Sequence, residues 1–243
     1  MNVFDKNVNY VQYGEGDKNV VLLHGWGQNI QMMDFIGKNL ENVKVTIFDL
    51  PGFGESEELN YSLNVEEYAD WLNLVLSSLL IDNPILVGHS FGGRVAVKYA
   101  SKYPTEKLVL LATPIIRHRH KPTLEEKFYK VIKKTPLGEY FRKRIGSADY
   151  NNASPIMRET LVKTVNEDLL ETAKKIEIPT LFLAGIEDTA VSLGDTYNVA
   201  NQMKDAAVIK QYGTHYAYLE NIDQTCMIIN EFIHPRKLTK KMQ

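Results

Sequence analysis

The sequence predicts an α/β protein built on a doubly wound, mostly parallel sheet with a helical insertion. Apolar runs and helical periodicities alternate along most of the 243 residues, the order that successive crossovers impose on one sheet. The runs from Val20 to Leu23 onward are continuous rather than alternating, as strands covered on both faces read. A third observation marks the insertion: from about Ile115 to Lys175 the alternation stops and only helical pieces remain.

The strand candidates are 8–13, 19–24, 43–49, 84–87, 107–111, 179–184 and 207–212. Helical stretches fall between them at 29–40, 65–80 with Trp71 among the apolar positions, 91–103, 192–203 and 216–233. Within the insertion, helical pieces at 124–134 and 155–170 are divided by Pro122, Pro136-Leu137-Gly138 and Asn151-Asn152. An insertion between two parallel strands is expected over their carboxyl ends, where ligands of such sheets sit. The expected organisation is therefore a core of 1–114 and 176–243 with a helical lid at 115–175.

Composition bounds the function. With 44% hydrophobic and 24% charged residues the chain reads as ordinary globular protein of one large domain. No run approaches the ~18 apolar residues of a membrane span, and Met1-Asn2-Val3-Phe4-Asp5 has no secretory pattern, so a cytoplasmic location is expected. The single cysteine, Cys226, sits in a helical pattern with Ile222, Ile229 and Ile233 and is expected in the core. No Cys/His cluster has metal spacing and no glycine loop has nucleotide-site context, so neither metal nor cofactor is expected. A net charge of −2 argues against a nucleic-acid partner.

Chemistry concentrates at Gly88-His89-Ser90-Phe91-Gly92-Gly93, directly after Ile85-Leu86-Val87. A serine raised out of a sheet by a sharp strand-to-helix turn needs small residues two before and two after it, which Gly88 and Gly92 supply. The following helix aims its N-terminal N–H groups and dipole at the same spot. Ser90 is the candidate nucleophile, and it requires a base and an orienting acid. Of six histidines, His24 ends a strand, His89 lies within the turn, His118 and His120 are in the insertion and His234 is in the tail. His215 follows the last strand, at a carboxyl end from which it can reach Ser90. For the acid, Asp188 follows the strand before it, with Glu187 as its rival and Asp49 ending an earlier strand. A second oxyanion donor is expected from the turn His24-Gly25-Trp26-Gly27, through the Trp26 N–H beside that of Phe91. A backbone donor makes the Trp26 side chain itself replaceable.

Together His24 to Gly27, Asp49 to Ser56, Gly88 to Gly93, Gly185 to Asp188 and Gly213 to His215 resemble the α/β-hydrolase superfamily in motif order. The resemblance implies a catalytic triad of Ser90, Asp188 and His215, an oxyanion hole from Trp26 and Phe91, and a structural role for the turn containing Asp49. The chain departs from the family at Thr189-Ala190-Val191 and at Glu220 to Asp223, where many members carry proline. A serine at the elbow is unlike the carboxylate of the family's dehalogenases and epoxide hydrolases, so those activities are not expected.

The insertion is basic, with 14 Lys and Arg against 8 Asp and Glu, while the remainder carries −8. Such a surface is either a solvated helical face or an attractor for an anionic substrate or acidic carrier protein. Arg94, one helical turn past Ser90, is a candidate carboxylate ligand, as in the similar carbon–carbon lyases of menaquinone synthesis, or a structural ion-pair partner. His24-Gly25-Trp26-Gly27 with the basic insertion is similar to carboxylesterases of biotin synthesis that act on a carrier-bound methyl ester. His24, Tyr129 and Phe141 complete the substrate-binding candidates, although most apolar insertion residues, Met157 among them, are expected to hold the lid down. The expected function is cofactor-free cleavage of a small acyl ester through an acyl-enzyme. Carbon–carbon or carbon–nitrogen cleavage by the same triad, and ligand binding without catalysis, are the alternatives.

Overall fold

A computed structural model gives the fold; the residues described are 1–3, 5–118 and 148–235. The strands are β1 (Asn2–Val3), β2 (Lys6–Asn7), β3 (Tyr10–Tyr13), β4 (Lys18–Leu23), β5 (Val43–Phe48), β6 (Ile85–His89), β7 (Lys107–Leu111), β8 (Thr180–Gly185) and β9 (Ala206–Gln211). β1 and β2 form a separate hairpin, too short for any sequence pattern to announce. The other seven form one sheet in the order β3-β5-β4-β6-β7-β8-β9, parallel except where β3 runs antiparallel to β5. The chain winds from β4 to β5 and then returns across β4 to β6. The winding therefore reverses between β4 and β6, which makes their carboxyl ends the crevice of the sheet.

Why the inner strands read as unbroken apolar runs is visible in the packing. Side chains alternate across a strand, and here both faces are covered. Val21, Leu23, Leu86, Leu108, Leu110 and Phe182 face one core with Tyr68, Trp71, Leu72 and Val75 of α2 (Val65–Ser78) and Val95 of α3 (Phe91–Ala100). Val20, Leu22, Val45, Ile47, Val87, Val109 and Leu111 face the other, with Met33 and Ile36 of α1 (Ile30–Gly37). Cys226 is buried in that second core. α2 begins with a capping box in which Asn64 and Glu67 satisfy one another's backbone N–H groups.

Between β7 and β8 the described chain is helical, as α4 (Ala148–Asn152), α5 (Pro155–Asn166) and α6 (Leu170–Ala173). The helix expected over 155–170 stops early because Glu167 turns to ψ 127° and Asp168 accepts from the Leu170 N–H at 2.9 Å. Met157 is buried directly against Gly52 of the Pro51 to Gly54 turn, so it seats α5 on the core. After α7 (Leu193–Ala200), the helix expected over 216–233 is two, α8 (Ala217–Glu220) and α9 (Ile222–Ile233). Asn221 breaks it: its side chain donates to Tyr212 O at 2.6 Å and to Ala217 O at 3.0 Å, fixing a non-helical backbone at φ −127°. No described helix is long and apolar enough to cross a membrane.

Candidate active site

Ser90 occupies the sharp turn between β6 and α3 with φ 49° and ψ −108°, a conformation costly for any residue with a Cβ. Its N–H donates to Leu111 O at 2.9 Å, and its carbonyl accepts from Arg94 N at 3.1 Å. The two flanking glycines are required by proximity. A Cβ on Gly88 would collide with the Gly93 backbone, and one on Gly92 would collide with the carbonyls of Leu23 and His24. The elbow is thereby pressed against the end of β4. The first N–H groups of α3 have no intrahelical acceptor, Phe91's among them.

His215 lies beyond β9, in a turn held by Glu220, whose carboxylate accepts from the Thr214 hydroxyl at 2.6 Å and the Thr214 N–H at 2.8 Å. Its Nδ1 is 2.8 Å from Asp188 Oδ2, so Nδ1–H donates to the carboxylate and the Nε2 lone pair is left free. The Asp188 side chain is only 2% exposed. Its other oxygen accepts the N–H groups of Ala190 at 2.7 Å and Val191 at 2.9 Å. Both donors belong to the stretch where relatives of this resemblance carry proline nearby, and a proline at either position would remove one. The two rivals stand differently. Glu187 is exposed, and Asp49 is buried with its oxygens accepting from Ile30 N at 2.7 Å, Asn9 Nδ2 at 2.7 Å and Glu55 N at 2.8 Å.

Trp26 follows β4, and its ring stands edge-on to Phe53 at 4.8 Å and to Phe91 at 5.3 Å. That packing amends the expectation that its side chain is replaceable: the ring is a wedge that spaces the two loops. Two binding candidates are corrected outright. His24 has no exposed surface; its Nδ1–H donates to Gly25 O at 2.7 Å and its Nε2 accepts from Leu50 N at 3.0 Å. Neither nitrogen is left for a substrate. Arg94 is buried, and its guanidinium donates to the carbonyls of Pro114 at 2.6 Å, Thr164 at 2.9 Å and Glu167. Spacing along α3 placed it near the serine, but the long side chain runs under the insertion instead. Burial lowers its pKa to about 10, which keeps it charged at neutral pH. Tyr129 and Phe141 lie outside the described residues.

Of two polar residues that hold the loops, Glu220 entered the sequence reading only within the stretch Glu220 to Asp223, and Gln28 carried no sequence signal. A carboxylate one turn beyond a base is a pattern by which Glu220 could be sought; nothing distinguishes Gln28 from any polar loop residue.

Burial has a pH consequence. Loss of solvation lowers His24 to about 4 and, with His215 adding to the effect, His89 to about 3, from an ordinary 6.5. Between these values and 6.5 the unfolded chain binds protons that the folded chain refuses, so stability is full above pH 6.5 and declines as pH falls. Urea unfolding followed from pH 7.5 to 4.5 is expected to show uptake of up to about two protons. A stability that does not fall over that range would contradict a neutral, buried pair.

Comparison with known proteins identifies the fold family. Residues 18–139, half of the chain, match the family model described as alpha/beta hydrolase fold. Over 100 residues the chain is 41% identical to the pimeloyl-[acyl-carrier protein] methyl ester esterase of Pseudoalteromonas atlantica, covering 39% of this chain and 37% of that protein. The chain thus spans about a third of the length of the esterases it matches in this way. Lipase 3 of a Moraxella species is 29% identical over 227 residues, covering 81% of this chain and 72% of the lipase. Among solved structures, an esterase from Exiguobacterium antarcticum superposes with a TM-score of 0.75 at 19% identity, covering 94% of this chain and 96% of its own. The chain belongs to the alpha/beta hydrolase fold family.

Proposed function

We propose that the protein cleaves a carboxylic ester without a cofactor, through an acyl-enzyme on Ser90. The observation that carries this reading is the 2.8 Å contact of His215 Nδ1 with the buried Asp188, at the same end of the sheet as a serine held at positive φ. Ser90 Oγ attacks the ester carbonyl while His215 Nε2 takes its proton, and Asp188 holds the imidazolium so formed. The N–H groups of Phe91 and Trp26 stabilise the oxyanion, each such donor typically supplying about 3 kcal/mol. His215 returns the proton to the leaving alcohol, and water then releases the acid by the same steps in reverse order of roles. Residues 115–175 serve as the lid. The similarity to esterases of pimeloyl-[acyl-carrier protein] methyl ester, with the basic charge of the insertion, supports a small acyl ester that is anionic or carried on an acidic protein.

A fluorophosphonate probe tests the reading. Intact mass is expected to show one adduct on the wild type and none on Ser90→Ala, with turnover of p-nitrophenyl esters that varies with acyl length from acetate to octanoate. A folded wild type that takes no adduct and turns over no ester would sink it.

A further inference from the structure

Gln28 sits in the loop after β4, half-buried, and its side-chain oxygen joins two parts of the site. Oε1 accepts the N–H of Gly25 at 2.9 Å and lies 3.1 Å from Nδ1 of His89. The other ring nitrogen of His89 lies 3.2 Å from the carbonyl of His215. His89 is the residue before Ser90, so one short chain of polar contacts runs from the loop of Trp26, past the nucleophile's neighbour, to the backbone of the base. The ring is also packed between loops, 4.6 Å from the Tyr218 ring and 5.0 Å from that of His215.

The same loop is held from its other side. The carbonyl of Gly25 accepts from His24 Nδ1 at 2.7 Å and from the N–H of Gln28 at 3.2 Å. Both peptide units flanking Gly25 are therefore fixed at their polar atoms. A trans peptide is planar, with its C=O and N–H pointing opposite ways. Holding the Gly25 carbonyl towards His24 and Gln28 turns the Trp26 N–H to the opposite side. There is no room to adjust: a Cβ at position 25 would lie 2.7 Å from His89 Nδ1 and 3.0 Å from Gln28 Oε1. The glycine is required by the bridge.

We infer that Gln28 and His89 are positioning residues that fix the direction of the Trp26 N–H and keep it in register with His215. This rests on the ester-hydrolase reading above, since it is that reaction's oxyanion the N–H would meet. Neither side chain touches a reacting atom. A neutral imidazole carries one N–H, and here it stands between two acceptors. That proton donates either to Gln28 Oε1 or to the His215 carbonyl at any one time, so the two loops are linked by competing for it.

Gln28→Met removes the acceptor while keeping the side chain's length and is the first test. With p-nitrophenyl esters, kcat is expected to fall about 10- to 100-fold with KM within threefold, less than the 10²–10³-fold cost of losing an oxyanion donor outright. The affinity of phenylboronate, which forms a tetrahedral adduct on an activated serine, should fall by the same factor as kcat/KM. Gln28→Glu keeps an oxygen for the Gly25 N–H and is expected to recover most of the rate. A purely structural role would instead lower the melting temperature without separating kcat from KM. An active wild type beside a Gln28→Met enzyme with kcat within twofold overturns the inference alone, as does a loss that Gln28→Glu fails to recover. A wild type with no turnover and no adduct overturns it together with the hydrolase reading.

Discussion

Replacing Ser90 by glycine is expected to stabilise the protein and to abolish its turnover. The serine stands at φ 49° and ψ −108°, where a side chain costs on the order of 1–3 kcal/mol and glycine costs little. Its backbone N–H bond to Leu111 survives the change, so the fold has no reason to be lost. Turnover, by contrast, loses the atom that attacks. Ser90→Gly and Ser90→Ala should both lose on the order of 10⁵–10⁶ in kcat, but only the glycine variant should gain stability, by about 1 kcal/mol after its greater unfolded-state freedom is counted. Urea titration beside ester kinetics measures both. An inactive variant that is less stable than the wild type would mean the turn is not strained; an active one would remove Ser90 from the chemistry.

Asp188→Asn should cost less activity than loss of the serine, on the order of 10⁴-fold in kcat, and for a different reason. The carboxylate accepts three N–H groups, from His215, Ala190 and Val191, and is almost fully buried. An asparagine of the same shape keeps one acceptor oxygen. If that oxygen stays with Ala190 and Val191, the amide nitrogen faces His215 and donates to Nδ1. His215 is then held with its proton on Nε2, the nitrogen that must accept from Ser90. Fluorophosphonate labelling should slow with turnover, while the melting temperature changes little. Raising the pH should recover little rate, because the fault is in which nitrogen carries the proton. An Asp188→Asn variant within tenfold of wild type would reassign the acid.

Most of the sheet was legible because burial on both faces leaves a one-letter imprint: Val20 to Leu23 and Ile85 to Val87 have 0% exposure, and water on either face would have interrupted such a run with polar residues. Helix existence was equally legible, whereas helix ends were not. The breaks at Glu167 and Asn221 arise from side chains reaching backbone groups across the fold, which no local pattern records. At the site, the elbow was readable since its glycines answer to close approach, and His215 became the candidate base by its place after the last strand. For the acid the sequence left neighbours as candidates, and of these Asp188 turns inward to meet His215 while Glu187 is exposed. The misreadings share a cause. His24 and Arg94 stand near Ser90 in sequence or along the chain's path, but position does not say which way a long or planar side chain points, and both point into the protein.

Arg94 bears on how this chain can change over generations. Its guanidinium meets Pro114, where the chain leaves β7, and Thr164 and Glu167, where it comes back. Alongside, Leu169 N–H donates to Ile115 O at 3.0 Å and Arg117 N–H to Asp168 at 2.8 Å. The outgoing and returning arms of the insertion are thus fastened to each other and to α3 at one neck. Beyond the neck the chain is seated a second time, by Met157 of α5 against Gly52, so a change in the insertion has two fastenings to keep. A single buried arginine sits at the join, so any change the insertion undergoes must leave its two arms meeting where α3 holds them.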